Sequence, residues 1–406
     1  MKNVECHPLS PIEENLGSQG HVVLVSTSEL ILKSQYVRST LQKSLLKDLA
    51  WKLRQNHEEA SINVENGRVV VSNINNPTAA ARLCAEVFGV SLSCDAIVLP
   101  TEKRLLVEGV STLARQKLIP GDTFAVRARV VGTHAFHSKD IEIEVGKDIL
   151  DHTQRDAIKV NLDKPNKTIF VEARERHTYA YTDRNRGVGG IPYGTQGRLV
   201  CMLSGGIDSP VAAWLMMKRG IHVIPIFMDM GSFASEDYKM KAIKVVKRLR
   251  EFAPVDTFKM LIAPFEKVAR TIASVTETRF RCVLCKRMMY RIACLSALDK
   301  NSLGVVTGES VGQVASQTLR NISILTEAAK MPLYRPLIGM DKEEIQTLAR
   351  KIGTYNISIQ KAQGCSLVPS KPATRALIEA VNKIEETLDV TTLANEAFAE
   401  IENIAI

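Results

Sequence analysis

Long apolar runs are missing from this sequence. No stretch of 18 apolar residues occurs, and the first fifteen residues carry no apolar core of a secretory signal. With only eight cysteines in 406 residues, a disulfide framework is excluded as well. We therefore expect a cytoplasmic chain with no membrane partner.

Aromatic residues are also few, at 5% of the chain, but hydrophobic residues reach 45%. That apolar fraction suffices for large cores and excludes disordered and fibrous classes. At about 100–200 residues per domain, 406 residues predict two to four domains. Lysine and arginine number 53 against 44 acidic residues, and this net charge of +9 fits a polyanionic partner or simply a basic enzyme.

The first hundred residues show the pattern of a small α+β fold. Strand patterns lie at 22–26, 61–65, 68–72 and 92–99, and helical patterns lie at 36–53 and 77–87. Asn66-Gly67 between the second and third strands is a strong hairpin signal. The order β-α-β-β-α-β is that of a ferredoxin-like fold.

A second pattern fills residues 101–183. It predicts a helix at 101–118, a strand at 123–131, a helix at 138–150 with Ser138 as N-cap, and strands at 168–175 and 177–183. Residues 184–197 then hold five glycines and one proline. That composition predicts a flexible linker and a domain boundary.

Apolar strands and helices alternate after the linker. Strands are predicted at 198–204, 222–229, 256–263 and 302–308, and helices at 210–220 and 235–250. Strands that are apolar throughout and separated by helices indicate a parallel sheet covered on both faces.

The first of these strands leads into a glycine-containing turn with the chemistry of a phosphate site. Gly205 and Gly206 let the backbone approach a pyrophosphate, Ser204 and Ser209 offer hydroxyl groups, and the following helix presents free N–H groups. Asp208 is placed to hold Mg²⁺. The segment lacks the Walker A pattern, and the alternative is an ordinary strand-to-helix turn.

Three cysteines could handle metal or sulfur. Cys282 and Cys285 are spaced to share one face of a helix. The positive charge of the adjacent Arg281, Lys286 and Arg287 predicts lowered thiol pKa values. Cys365 lies in a turn-like loop, and the sequence alone does not place it near the pair.

The motif SGGIDSP (204–210) resembles the PP-loop of ATP pyrophosphatases. The whole chain resembles the tRNA 4-thiouridine synthetase family, ThiI, through segments at 28–38, 123–138, 285–293, 306–321 and 335–345. The resemblance implies an α/β multidomain protein. Its expected parts are a tail at 1–20, a ferredoxin-like α+β domain at 21–76, a THUMP α/β domain that binds RNA at 77–184, a linker at 185–197, and a PP-loop ATP pyrophosphatase domain with a parallel sheet at 198–406.

By the same resemblance, ATP lies along the carboxyl edge of that sheet. The implied contacts are Met202, Leu203, Ser204, Gly205, Gly206, Asp208, Ser209, Phe227, Met228, Lys286, Gly308 and Gln317. Lys286 stands where most members of the family carry arginine. Lysine keeps the positive charge of arginine but lacks its planar guanidinium group. Glu309 and Lys342 are further polar candidates. On the simpler interpretation, the apolar residues Met202, Leu203, Phe227 and Met228 belong to the hydrophobic core.

The resemblance also gives the cysteines a role. Cys365 matches the loop cysteine of sulfur transfer, and Cys282, Cys285 and Cys365 match the ligands of a 4Fe–4S or 3Fe–4S cluster in members without a rhodanese domain. We expect no rhodanese domain after Cys365, and the family links thiamine biosynthesis to that domain. A persulfide or disulfide relay is an alternative, and so is zinc with His222 or Cys294 as a fourth ligand.

Basic residues supply the expected RNA contacts. They are Lys33, Arg38, Lys43, Lys47, Lys52 and Arg54 around a single Asp48, then Arg127, Arg129, His134, Lys139, Lys147, Arg184 and Arg186. Such side chains position RNA through its phosphates, although a solvated helix face is the simpler alternative. A THUMP domain implies binding of the tRNA 3′ CCA end.

The resulting hypothesis is an ATP-dependent tRNA sulfurtransferase. It would adenylate O4 of a uracil, expected at position 8 of tRNA, and displace AMP with sulfur from sulfide or a persulfide carrier. A homodimer is a further expectation. The alternatives are another PP-loop enzyme, either a different tRNA thiolase or an amide-forming synthetase, and a tRNA-binding protein without enzymatic activity.

Overall fold

The computed structural model describes residues 20–65, 67–153, 156–275 and 277–406. The predicted tail, apart from its last position, and Asn66 of the predicted hairpin turn lie outside the described residues. Contacts divide the chain between Gly190 and Ile191 into two compact units. Each unit has its own sheet.

The first unit is a mixed sheet with helices packed on it. Its elements are β1 (His21–Thr27), α1 (Gln35–Gln55), β2 (Ser61–Glu65), β3 (Arg68–Ser72), α2 (Pro77–Ala85), β4 (Val90–Pro100), α3 (Lys103–Lys117), β5 (Thr123–Val130), α4 (Ser138–His152), β6 (Lys159–Val160), β7 (Lys167–Ala173), β8 (His177–Tyr181) and β9 (Asn185–Arg186). Among the described residues, the strand order is β2-β3-β1-β4-β8-β7-β5-β6, with β9 paired to β4. Each strand and helix predicted here appears, with its ends shifted by a few residues.

Strand β4 lies near the middle of this sheet. It pairs antiparallel with β1 on one side and with β8 on the other, so the sheet continues from the predicted ferredoxin-like domain into the predicted THUMP domain. The boundary placed between residues 76 and 77 does not coincide with a break in the sheet, and it stays a prediction.

The start of α4 differs from the prediction. Ser138 is the first helical residue rather than the N-cap, and His137 takes the capping position. The Asp140 carboxylate accepts from the His137 N–H at 2.8 Å, while the Ser138 hydroxyl accepts from the Val130 N–H at 3.1 Å. Ser138 therefore joins the helix start to the end of β5 instead of capping the helix.

Residues 185–197 are not a flexible linker. Strand β9 pairs with β4, and the Gly189 N–H donates to the Val90 carbonyl at 2.8 Å. Gly187 passes so close to Val90 that a Cβ there would overlap the Val90 carbonyl. Beyond the division, Ile191 and Tyr193 are buried in the second unit. Gly187 thus serves close backbone packing, which composition alone does not distinguish from looseness.

The second unit is an α/β structure. Its elements are β10 (Arg198–Met202), α5 (Asp208–Lys218), β11 (His222–Asp229), α6 (Glu236–Arg250), β12 (Lys259–Pro264), α7 (Glu266–Ala273), α8 (Arg281–Asp299), β13 (Val305–Val306), α9 (Leu319–Thr326), β14 (Leu333–Tyr334), α10 (Lys342–Lys351), α11 (Tyr355–Ser358), α12 (Ile378–Glu385), α13 (Val390–Ala399) and β15 (Glu402–Ala405). In the described part of the chain, the strand order is β14-β13-β10-β11-β12-β15. Five strands are parallel, and β15 is antiparallel to β12.

The order of these strands creates a crevice beside β10. The chain moves from β10 to β11 and β12 on one side, and later returns to β13 and β14 on the other. Such a reversal leaves a gap at the carboxyl ends of the two strands that flank it, which is where open α/β sheets bind ligands. No helix among the residues described is long and apolar enough to cross a membrane.

Candidate active site

A cavity of about 390 Å³ opens at the carboxyl ends of β10 and β13. Of the residues predicted for the site, it is lined by Met202, Leu203, Ser204, Gly206, Asp208, Ser209, Phe227, Met228, Cys282, Cys285, Lys286, Gly308, Gln317 and Cys365. Segments more than 150 residues apart in sequence therefore meet in one space. Cys365 and the paired cysteines lie there together, as the resemblance implied.

The phosphate loop, residues 204–209, folds back on the first turn of α5. The Ser204 N–H donates to the Ser209 hydroxyl at 3.0 Å, and the Gly206 N–H donates to the Ser204 hydroxyl at 3.3 Å. The two hydroxyl oxygens are 3.2 Å apart. This curl places the loop directly before the N-terminus of α5, where helical N–H groups and the helix dipole attract anions.

Gly308 approaches the phosphate loop from β13. A Cβ at this position would lie 2.8 Å from both the Cα and the backbone nitrogen of Ser209. No side chain larger than hydrogen fits there without moving the start of α5. Gly308 is thus required by the shape of the loop, in addition to lining the cavity.

Gly205 does not line the cavity, in contrast to the other residues predicted for the loop. It is buried, and a Cβ at this position would lie 2.6 Å from the Cε of Lys241. The glycine therefore makes room for a lysine side chain on α6. Sequence spacing does not show which of two adjacent glycines faces a ligand.

Asp208 is held by two donors. The Lys342 ammonium donates to Asp208 Oδ1 at 2.8 Å, and the Gln313 side-chain amide donates to the same oxygen at 3.3 Å. Lys342 begins α10 and lies outside the cavity lining. A carboxylate and an ammonium group at the edge of the phosphate loop can act on Mg²⁺ and on phosphate oxygens respectively.

Part of the cavity wall is apolar. Leu203, Phe227 and Met228 are buried at the ends of β10 and β11, and the Phe227 ring packs on Tyr238 with centroids 5.9 Å apart. Gln317 is also buried, and its Oε1 has no hydrogen-bond partner among the described residues. An unpaired amide oxygen that lines a cavity can accept a hydrogen bond from a bound ligand.

A buried carboxylate organises the floor of the cavity. Glu309 accepts from Tyr290 at 2.5 Å, from the Arg335 Nε at 2.9 Å and from the Lys286 ammonium at 3.4 Å. Burial opposes ionisation of Glu309, but Lys286, Tyr290 and Arg335 together lower its pKa. The carboxylate is therefore ionised and holds Lys286 at the cavity wall.

The cysteine pKa values contradict the sequence prediction. Burial raises the pKa of both Cys282 and Cys285, and the nearby Cys365 adds to the increase. Lys286 lowers the pKa of Cys282, but less than burial raises it. Desolvation disfavours a thiolate more than a partly neutralised cation favours it.

The cations beside the two cysteines are already paired. Lys286 bonds Glu309, and Arg287 is buried in an ion pair with Glu385 at 2.8 Å. Arg281 donates to the backbone carbonyl of Ala273. The partners of Lys286 and Arg287 are distant in sequence, so a count of neighbouring positive charges overestimates the electric field at the thiols.

The three cysteines of the cavity do not form a site for a single metal ion. Within the described residues, no three or more histidine, cysteine or acidic side chains are close enough to hold one metal ion. Neither His222 nor Cys294 lines the cavity as a fourth ligand. The donor set, three thiols facing one space, suits a multi-iron cluster better than a single zinc ion.

Sequence reasoning missed several lining residues. These include Tyr238, Met289, Tyr290, Thr307, Ser316, Leu367 and Val368. Tyr290 could have been found from the spacing, because it follows Lys286 by four positions and shares its helix face. Tyr238 carried no such signal, since it reaches the cavity only through the packing of α6 on β11.

The basic residues of the first unit fall into two groups. Lys33, Arg38, Lys43 and Lys47 are exposed on or before α1. Lys52 is buried and pairs with Glu86 at 2.7 Å, so its predicted RNA contact is wrong. The other predicted RNA contacts are exposed except His134, which is half-buried and stacks on Phe136.

Three family models match consecutive parts of the chain. They are described as "ThiI ferredoxin-like domain" at residues 22–94, "THUMP domain" at 104–183 and "Thiamine biosynthesis protein (ThiI)" at 194–390. The matches, together with the two sheets, confirm the predicted fold class. The boundary predicted at residue 76 lies inside the first match.

Similar proteins cover almost the full length. A "Probable tRNA sulfurtransferase" of Methanosarcina mazei is 37% identical over 94% of this chain and 95% of its own length. One of Methanosarcina acetivorans is 35% identical over 98% of this chain and 97% of its own length. A crystal structure of a 4-thiouridine synthetase in complex with RNA and ATP superimposes with a TM-score of 0.83 at 29% identity, covering 95% of this chain and 99% of that one.

Proposed function

The chain belongs to the ThiI family of tRNA sulfurtransferases, and we propose that it uses ATP to convert a uridine of tRNA into 4-thiouridine. The observation that carries the proposal is the single cavity that contains both the phosphate loop and Cys365. An enzyme that activates an oxygen with ATP and replaces it with sulfur needs both groups within reach of one base. The target is uridine 8, and the reaction takes place in the cytoplasm.

The first step is adenylation of the base. O4 of uracil attacks the α-phosphorus of ATP, pyrophosphate leaves and the N3 proton is released. The N–H groups of the phosphate loop and Lys342 stabilise the charge that develops on the pyrophosphate. Asp208 would hold a Mg²⁺ ion, which would supply further positive charge there. The Oε1 of Gln317 accepts from the adenine amino group, and Lys286 lies beside the phosphates.

The second step replaces oxygen by sulfur. Hydrosulfide attacks C4 of the adenylated base, the bond between C4 and O4 breaks, and AMP leaves with the oxygen. The oxidation level of C4 does not change, so no oxidant or reductant is required. Cys365 holds the sulfur for the attack. Sulfide supplies it directly as hydrosulfide, whereas a persulfide carrier supplies it only if two thiols, such as those of Cys282 and Cys285, give up two electrons and form a disulfide.

Cys282, Cys285 and Cys365 would together hold an iron–sulfur cluster of three or four irons. When bound, such a cluster supplies an open iron that takes up hydrosulfide. The thiols fit this role because they face one cavity. Binding must displace the thiol protons, which the raised pKa values of Cys282 and Cys285 favour in the empty site. Zinc fits less well because neither of the predicted fourth ligands, His222 and Cys294, lines the cavity.

Anaerobically purified full-length protein is expected to contain about three to four irons per chain, with a similar amount of acid-labile sulfide. The double variant C282A/C285A is expected to lose most of this iron because two of three ligands are gone. C294A, which removes a buried thiol outside the cavity, serves as the matched control. Full thiolation by iron-free protein would contradict the cluster.

The first unit binds the tRNA. Its exposed basic residues supply phosphate contacts, and its THUMP match supports recognition of the 3′ CCA end. The target base must leave its stack to enter the cavity of the second unit. The predicted homodimer stays a prediction.

The proposal is tested with the full chain, ATP, Mg²⁺, sodium sulfide and unmodified tRNA transcript under anaerobic conditions. We expect pyrophosphate release that depends on tRNA, and 4-thiouridine at position 8 by mass spectrometry of the digested tRNA. Pyrophosphate release with a small acid in place of tRNA, or a different thiolated nucleoside, would identify another PP-loop reaction. Tight tRNA binding with no pyrophosphate release would identify a binding protein without activity.

A further inference from the structure

The loop that carries Cys365, residues 358–367, is fastened to the segment that precedes α6. The Ser235 N–H donates to the Gln363 carbonyl at 3.1 Å, and the Ser366 N–H donates to the Phe233 carbonyl at 2.8 Å. The Ser235 and Ser366 hydroxyls donate to the same two carbonyls at 3.2 and 3.1 Å. Cys365 is thus held from both sides by the segment that leads into α6.

Lys241, one turn into α6, fastens the same loop at its beginning. Its ammonium donates to the backbone carbonyls of Ser358 at 3.2 Å and Gln360 at 3.1 Å. Among the described residues, no carboxylate lies within 4.0 Å of this ammonium group, and partial burial lowers its pKa. Because the Lys241 ammonium group donates to two backbone carbonyl oxygens, it fixes the backbone of the loop instead of forming an ion pair.

The same lysine contacts the phosphate loop. A Cβ built on Gly205 would lie only 2.6 Å from the Cε of Lys241, so the lysine side chain packs directly on the phosphate loop at that glycine. The Ser358 hydroxyl donates to the Gly206 carbonyl at 3.2 Å. Two neighbouring links therefore connect the loop that binds phosphate to the loop that carries the cysteine.

We propose that Lys241 is a positioning residue that holds the Cys365 loop against the phosphate loop, so that sulfur reaches the activated base before water does. This rests on the proposed function. If the cysteine loop moves away, water attacks C4 of the adenylated base, AMP leaves and uridine is regenerated. Each such event uses one ATP and releases one pyrophosphate without forming 4-thiouridine.

The test compares 4-thiouridine formed with pyrophosphate released in the full-length variant Lys241→Met. We expect pyrophosphate release within about 2-fold of the unmodified chain and a fall of about 10-fold in 4-thiouridine per pyrophosphate, because a displacement of about 1 Å can cost this much or more. Lys244→Met changes an exposed lysine on the same helix and is the matched control. Lys241→Arg keeps a donor for the carbonyls and is expected to restore most of the ratio.

The variant Ser358→Ala is a second test of the same ratio, and its result does not depend on whether Lys241→Met folds. It removes only the hydroxyl bond to Gly206 and is expected to lower the ratio less, but in the same direction. An unchanged ratio in both variants, or a parallel loss of both products, overturns the role of Lys241. An unmodified chain that releases no pyrophosphate with tRNA would contradict the proposed function instead.

Discussion

Cys365→Ser is expected to reduce 4-thiouridine formation by about 10³-fold or more, while pyrophosphate release in the presence of tRNA continues. The reason is the position of the residue: Cys365 lines the cavity from a loop, and the phosphate loop belongs to a different segment of the chain. Removing one sulfur leaves the ATP contacts of β10 and β13 in place. The measurement is thiolated nucleoside and pyrophosphate in the same reaction mixture.

Cys294→Ala is the control for this variant, because Cys294 is a buried thiol on α8 that does not line the cavity. It should retain both products. Affinity of the Cys365→Ser chain for tRNA should equal that of the unmodified chain, as measured by filter binding. Thiolation at the normal rate would remove Cys365 from the mechanism, and loss of tRNA binding would assign it a structural role.

The sheet of the second unit could be predicted because its signals are local. Strands β10 and β11 are apolar throughout and each is followed by a helix, so the pattern alone indicates parallel strands. The phosphate loop follows β10 directly, and this adjacency in sequence is enough to place Ser204, Gly206 and Ser209 at the carboxyl edge of the sheet. Gly308 and Gln317 came from the resemblance alone, since nothing in their local sequence shows that β13 returns beside β10.

The thiol pKa values could not be predicted, because they depend on partners distant in sequence. Lys286 and Arg287 look like free positive charges beside Cys285 until Glu309 and Glu385 are seen to hold them. Burial then determines the direction of the shift. The roles of Gly205 and Gly187 could not be predicted for a similar reason. Each glycine makes room for an atom from a distant segment, Lys241 and Val90 respectively, and the local sequence does not show which atom that is.

Asp208→Asn is expected to lower pyrophosphate release by about 10²–10³-fold and to lower 4-thiouridine formation by the same factor. The substitution removes the charge that Lys342 and Gln313 contact, and it removes the carboxylate proposed for Mg²⁺. Because adenylation precedes sulfur transfer, the amount of 4-thiouridine per pyrophosphate should not change. Both products are measured over the same time course at saturating tRNA.

Asp237→Asn, which neutralises an exposed carboxylate on α6, is the matched control and should behave like the unmodified chain. The two products separate the roles of the residues, since Asp208→Asn should lower both equally while Cys365→Ser should lower only 4-thiouridine. An Asp208→Asn chain that releases pyrophosphate normally would mean that another group holds the metal. A fall in 4-thiouridine alone would move Asp208 from adenylation to sulfur transfer, because only the second step would then depend on its charge.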